Sequence, residues 1–186
     1  TLGIAGFVAG GISMGAAIAL RLAVRQPDRV RALVLARPAW VTQCAPSNMR
    51  PYELVGDLLL NHPPEKARQL FEESETAAEL RRFAPDNLAS LMGFFQRSEP
   101  HRFGTVLKSI AVDGPRVSED ELRQISVPAL IIGHESDLAH PLAFAKELAE
   151  LLPGSRLDII TPKAVDRDAY RRDFRLSLST FLDTIV

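Results

Sequence analysis

The chain has 186 residues, 46% apolar and 24% charged, with a formal net charge of −1. That balance belongs to a globular domain with a substantial core, not to a disordered chain. It carries no basic run and no apolar stretch of membrane-spanning length, so neither nucleic acid nor a membrane is an expected partner. The single cysteine, Cys44, cannot form an internal disulfide and reads as a small semi-buried residue, which fits a cytoplasmic location. Thr1 leads almost directly into an apolar run around Phe7 and Val8, so an N-terminal portion is expected to precede it.

Residues 1–40 read as strand, turn, helix, strand. The first strand is apolar around 6–9. The helix spans 14–25, with Ala17, Leu20 and Val24 on one face, and stops before Pro27 and Asp28. "RVRALVLA" then reads as a buried strand over 30–36, which completes the crossover unit of a parallel sheet. Residues 41–117 lose the strand period. Prolines stand at 46, 51, 63, 64, 85, 100 and 115, and "YELVGDLLL", "PEKARQLFEESE" and "NLASLMGFFQR" have helical spacing between them. This segment is expected to be a helical insertion.

Alternation returns over 118–186. "SEDELRQI" is a short helix with Ser118 as N-cap and Glu121 three residues on, a capping box. "VPALIIG" is a buried strand, Pro141 opens a helix closed by Pro153 and Gly154, and "RLDII" is a further strand. The last helix begins near Asp168, with Phe174, Leu178, Phe181 and Leu182 inward and Asp166 and Tyr170 as its anchors. The expected fold class is α/β: a mostly parallel sheet flanked by helices, with 1–40 and 118–186 as core and 41–117 as insertion.

One stretch carries chemistry. Gly11-Ile12-Ser13-Met14-Gly15 fits G-x-S-x-G and lies where a strand turns into a helix. Such a turn lifts a serine hydroxyl clear of the sheet, and flanking glycines let strand and helix approach. The N–H of Met14, at the helix N-terminus, then faces any developing oxyanion. The spacing matches neither G-x-G-x-x-G nor a phosphate loop, since no lysine follows Gly15.

With these residues the sequence resembles the α/β-hydrolase superfamily. "GGISMGAAIALRLAVRQPDRVRALVLARPAW" is similar to its nucleophile turn, helix and next strand. "ISVPALIIGHESDLAHPLAFAKELAELLPGSRLDII" is similar to its later strand, acid loop, helix and final strand. The helical segment between them takes the place of the family's lid. The resemblance implies Ser13 as nucleophile, Met14 N–H as oxyanion donor and Asp137 as the acid that orients a histidine. Asp137 alternatively caps the helix after Pro141, and Glu135 is a poorer candidate for the acid.

Two departures from the family pattern stand out. The histidine belongs after the last strand, where residues 161–170, "TPKAVDRDAY", contain none. The four histidines are His62 and His101 in the insertion, and His134 and His140 beside Asp137. His140 is the foremost substitute base. Lys163, in a polar loop, reads as a solvated charge. The family's further strands, which lead to a second oxyanion donor, have no counterpart before Ser13; one missing donor costs about 3 kcal/mol of barrier. The first strand thus becomes an apolar sheet edge and a route to homo-oligomers.

"ARPAW" ends a parallel strand, where open sheets bind ligands. Arg37 and Trp40 therefore either touch substrate or serve packing and charge pairing. The expected activity is hydrolysis of a small ester or acyl compound by a serine hydrolase, with impaired turnover and with no metal or organic cofactor. The rival expectation is a hydrolase fold that binds a small ligand or protein partner without turnover.

Overall fold

Four parallel strands, β1 (Phe7–Ile12), β2 (Val30–Ala36), β3 (Ala129–Gly133) and β4 (Ser155–Ile159), lie in the order β1-β2-β3-β4 in the computed structural model, which describes residues 5–185. All pairings are parallel, with Ile12 beside Ala36 and Ala36 beside Ile132. The sheet and its helices form one unit of the chain, residues 1–43, 115–135 and 140–186.

Helix α1 (Met14–Arg25) has the predicted bounds, because its alanine-rich face can lie flat on the sheet. Ala16, Ala19, Leu20 and Ala23 bury against Leu33, Leu35 and Ile131. Leu122 of α7 (Glu119–Arg123) and Ala145 and Leu148 of α8 (Leu142–Leu151) join this layer. The alternate residues of β2 and β3, Ala32, Val34, Ala36, Leu130 and Ile132, face the opposite side. There Tyr170, Phe174, Leu178 and Phe181 of α9 (Arg167–Asp183) cover them. Covering both faces explains why these two strands read as nearly unbroken apolar runs. β1 stands at the end of the strand order, with Val8 and Ile12 exposed.

Local signals set several boundaries. Ser118 Oγ accepts from Glu121 N–H, and the Glu121 carboxylate accepts from Ser118 N–H, the expected reciprocal cap of α7. Asp166 caps α9 by accepting from the N–H groups of Asp168 and Ala169. Nearly two turns into α9, Asp173 accepts from both Thr161 N–H and Thr161 Oγ1–H, tying the helix to the loop after β4.

These two carboxylates give the α9 anchor a pH dependence. Asp166 is held below the ordinary carboxylate range chiefly by the Ala169 N–H. Asp173 is held below it chiefly by the Thr161 hydroxyl. A folded-state pKa below the unfolded one adds stability above about pH 3.9, which is lost as pH falls through the lower folded value. Asp173→Asn is therefore expected to melt below wild type at pH 7 and to converge with it as pH falls below the ordinary carboxylate range. A constant gap in melting temperature across that range would contradict the assignment.

The second unit contains residues 44–114 together with 136–139. Its elements are α2 (Arg50–Asn61), α3 (Pro64–Glu72), α4 (Glu75–Phe83), α5 (Pro85–Met92) and α6 (Pro100–Val112). Several of the prolines that interrupt the strand period open these helices, where a missing N–H costs nothing. "PEKARQLFEESE" is not one helix. Ser74 ends α3 and starts α4, with its hydroxyl donating to Phe71 O and accepting from Ala77 N–H. "NLASLMGFFQR" divides between α5 and a 3-10 turn at Gly93–Gln96. Val55, Leu59, Phe71, Leu80, Leu91 and Leu107 form the core of this unit. α2 crosses α6 at Gly56 and Gly104, where a Cβ on either glycine would come within about 3 Å of the other's carbonyl oxygen.

Candidate active site

Ser13 sits between the last residue of β1 and the first of α1, with φ 58° and ψ −116°. This is a left-handed φ, which costs an ordinary residue about 1–3 kcal/mol. Its N–H donates to Ala36 O, at 3.0 Å, so the turn is tied to β2. A serine at a helix N-cap usually spends its hydroxyl on the helix. Ser13 makes no such bond. Met14, as the first helical residue, has an N–H with no carbonyl one turn back to accept it.

The two glycines of the motif have different roles. A Cβ on Gly11 would lie 2.3 to 2.5 Å from the Gly15 backbone. Strand and helix therefore touch backbone to backbone at this point. A Cβ on Gly15 would meet nothing within 4 Å among the described residues. The sequence motif treats the pair alike, whereas the close approach is carried by Gly11.

Ser13, Arg37 and His134 follow the carboxyl ends of three adjacent parallel strands, so they share one edge of the sheet. Arg37 is left-handed at φ 46° and its N–H donates to Ile132 O. Its guanidinium lies 3.2 Å from His140 Nδ1. This imidazole is one of the partners of Arg37. Arginine can only donate, so His140 Nδ1 accepts, and the neutral ring carries its proton on Nε2. In that tautomer Nε2 has no lone pair with which to take a proton from a serine.

His134 has the opposite tautomer. Its Nδ1 lies 2.7 Å from Glu135 O, which can only accept, so Nδ1 holds the proton. The ring stands edge-on to Tyr170 of α9, with centroids 5.5 Å apart, so Tyr170 packs on a ring as well as anchoring the helix. His62 and His101 are exposed. Lys163, in the loop after β4, is partly buried. Trp40 is buried. Cys44 is exposed, which corrects the expectation of a semi-buried thiol: it stands in irregular chain ahead of the turn at Ser47–Met49.

Asp137 belongs with the helical unit. It is buried at 6% exposure, and its Oδ1 accepts from Asn87 Nδ2 at 2.9 Å. Asn87, in the first turn of α5, was not singled out by the sequence. The pair is separated by 50 residues, and no local pattern announces it.

Comparison with known proteins completes this description. The family model described as alpha/beta hydrolase fold matches residues 1–164. The chain belongs to this family. A pimeloyl-[acyl-carrier protein] methyl ester esterase of Aromatoleum aromaticum is 31% identical to this α/β hydrolase over 159 residues, 79% of the present chain. The chain spans 62% of that relative's length. The enol-lactonase of Burkholderia xenovorans LB400 superposes with a TM-score of 0.64 at 24% identity, covering 98% of this α/β hydrolase and 68% of the lactonase. MGS-M2, an alpha/beta hydrolase from a Medee basin deep-sea metagenome library, superposes at 0.68 with 23% identity, covering 98% and 66%. At such identities these two likenesses speak for the fold.

Proposed function

We propose that this α/β hydrolase is a serine esterase acting on a small ester or similar acyl compound. Ser13 is the nucleophile, Met14 N–H an oxyanion donor and Asp137 the orienting acid. The observation that carries the reading is the Ser13 turn: a left-handed serine, tied to β2 through its N–H, whose hydroxyl is not spent on capping α1. The methyl ester esterase name of the Aromatoleum aromaticum relative supports the ester class. Arg37 follows β2 at the edge where open parallel sheets take ligands, which supports a substrate-contacting role, whereas the burial of Trp40 supports packing.

A second reading is favoured by one specific observation. Residues 161–170 hold no histidine, and His140 accepts from Arg37 through Nδ1. On this reading the fold binds a small ligand or protein partner without turnover. One experiment separates the two: labelling with a fluorophosphonate, which reports an activated serine directly. Labelling of wild type that disappears in Ser13→Ala supports the esterase. Equal labelling of both proteins, or of neither, removes Ser13 as a nucleophile and leaves the binding reading.

A further inference from the structure

We propose that Asn87 is a positioning residue for the Asp137 carboxylate, a role that rests on the assignment of Asp137 as the acid. The orientation of its amide is dictated by chemistry. A carboxylate only accepts and a backbone N–H only donates, so Asn87 must turn Nδ2 to Asp137 Oδ1 and Oδ1 to Ala139 N–H. These bonds are 2.9 and 3.0 Å, and Asn87 is itself buried at 5% exposure. One side chain therefore grips both the acid and the backbone two residues beyond it. A second asparagine completes the clamp: Asn48 Nδ2 donates to Ala139 O at 2.8 Å. Both backbone polar groups of Ala139 are thus taken by asparagine side chains.

The chemical choice matters. A buried carboxylate needs donors to stay ionised. The Asn87 amide fixes one oxygen of the carboxylate and favours the anion by donating to it.

Asn87→Asp tests this directly, because it is nearly isosteric and separates the two arms. The new side chain keeps an oxygen for Ala139 N–H but loses the donor to Asp137. A purely structural role, pinning the loop through Ala139, therefore predicts wild-type behaviour for Asn87→Asp and damage only in Asn87→Ala. The positioning role predicts that both variants are altered. Carboxyl-carbon NMR titration, with Asp137 assigned through Asp137→Asn, should show its apparent pKa raised by about one unit or more in Asn87→Ala. In Asn87→Asp like-charge repulsion adds to the rise whatever Asn87 does in wild type, so the titration is read in Asn87→Ala and, should circular dichroism show that variant unfolded, in the near-isosteric Asn87→Leu, which also removes the donor without adding a charge.

The fluorophosphonate labelling rate in Asn87→Asp should change in the same direction and by a similar factor as in Asp137→Asn, since each perturbs the same carboxylate. A titration of Asp137 unchanged in Asn87→Ala, or in Asn87→Leu where that replaces it, overturns the proposal. So does a wild-type labelling rate in Asn87→Asp beside a slowed Asp137→Asn. An Asp137→Asn variant as fast as wild type overturns the acid assignment itself, and the positioning role with it. Should wild type not label at all, the esterase reading fails and the titration alone decides whether Asn87 holds the carboxylate.

Discussion

Gly11→Ala is expected to be the most damaging small substitution in the sheet unit, while Gly15→Ala, four residues on in the same motif, is expected to be tolerated. The new Cβ at position 11 would fall 2.3 Å from the Gly15 carbonyl carbon and 2.5 Å from its Cα. Both are backbone atoms at the start of α1, so no side-chain rotation relieves the clash. The helix must move off β1, and its alanine face must leave Leu33 and Leu35 with it. Overpacking of this kind costs about 3 kcal/mol or more. For a chain of this size each kcal/mol lowers the melting temperature by roughly 2–4 °C. At Gly15 the added methyl meets open space among the described residues, and alanine is the better helix former by up to about 1 kcal/mol. Thermal melts of the two variants provide the check. Equal losses would mean that the glycines act symmetrically and that the backbone contact at Gly11 is not what holds the turn.

Ser13-dependent hydrolysis of an activated ester such as p-nitrophenyl acetate is expected to be slow and flat from about pH 5.5 to 7.5. General-base assistance is worth roughly two to four powers of ten in rate. No imidazole is supplied by the segment after β4. His140 is committed through Nδ1 to a group that can only donate, which leaves its Nε2 protonated. His140→Ala is therefore expected to change the rate by less than about threefold, and not to alter the profile. His134, whose proton sits on Nδ1, is the informative control. A sigmoidal rise centred near 6.5, the ordinary histidine value, that vanishes in His134→Ala would identify that ring as the base. The same rise vanishing in His140→Ala would show that the contact with Arg37 breaks during turnover.

Features set by a few neighbouring residues were legible in the sequence because their physics is local. The bounds of α1 follow from an apolar face that runs until Pro27. The α7 cap follows from two side chains three residues apart that complete each other's backbone bonds. The placement of Ser13 on a strand-to-helix turn follows from glycines on either side of a serine after an apolar run. Parallel pairing of β2 and β3 followed from runs too apolar to have a wet face.

The tertiary structure decided what depends on segments far apart in the chain meeting. Gly56 and Gly104 carry no local signal in the sequence, yet each is needed where α2 and α6 cross backbone to backbone. Asn87 is an unremarked residue of "PDNLAS" until folding turns its amide to Asp137. Arg37 and His140, 103 residues apart, fix a tautomer that no spacing rule could supply. The physical reason is the same in each case. Periodicity and caps report which conformation a segment prefers, whereas hydrogen-bond partners and close approaches report which segments meet. Only packing determines the second.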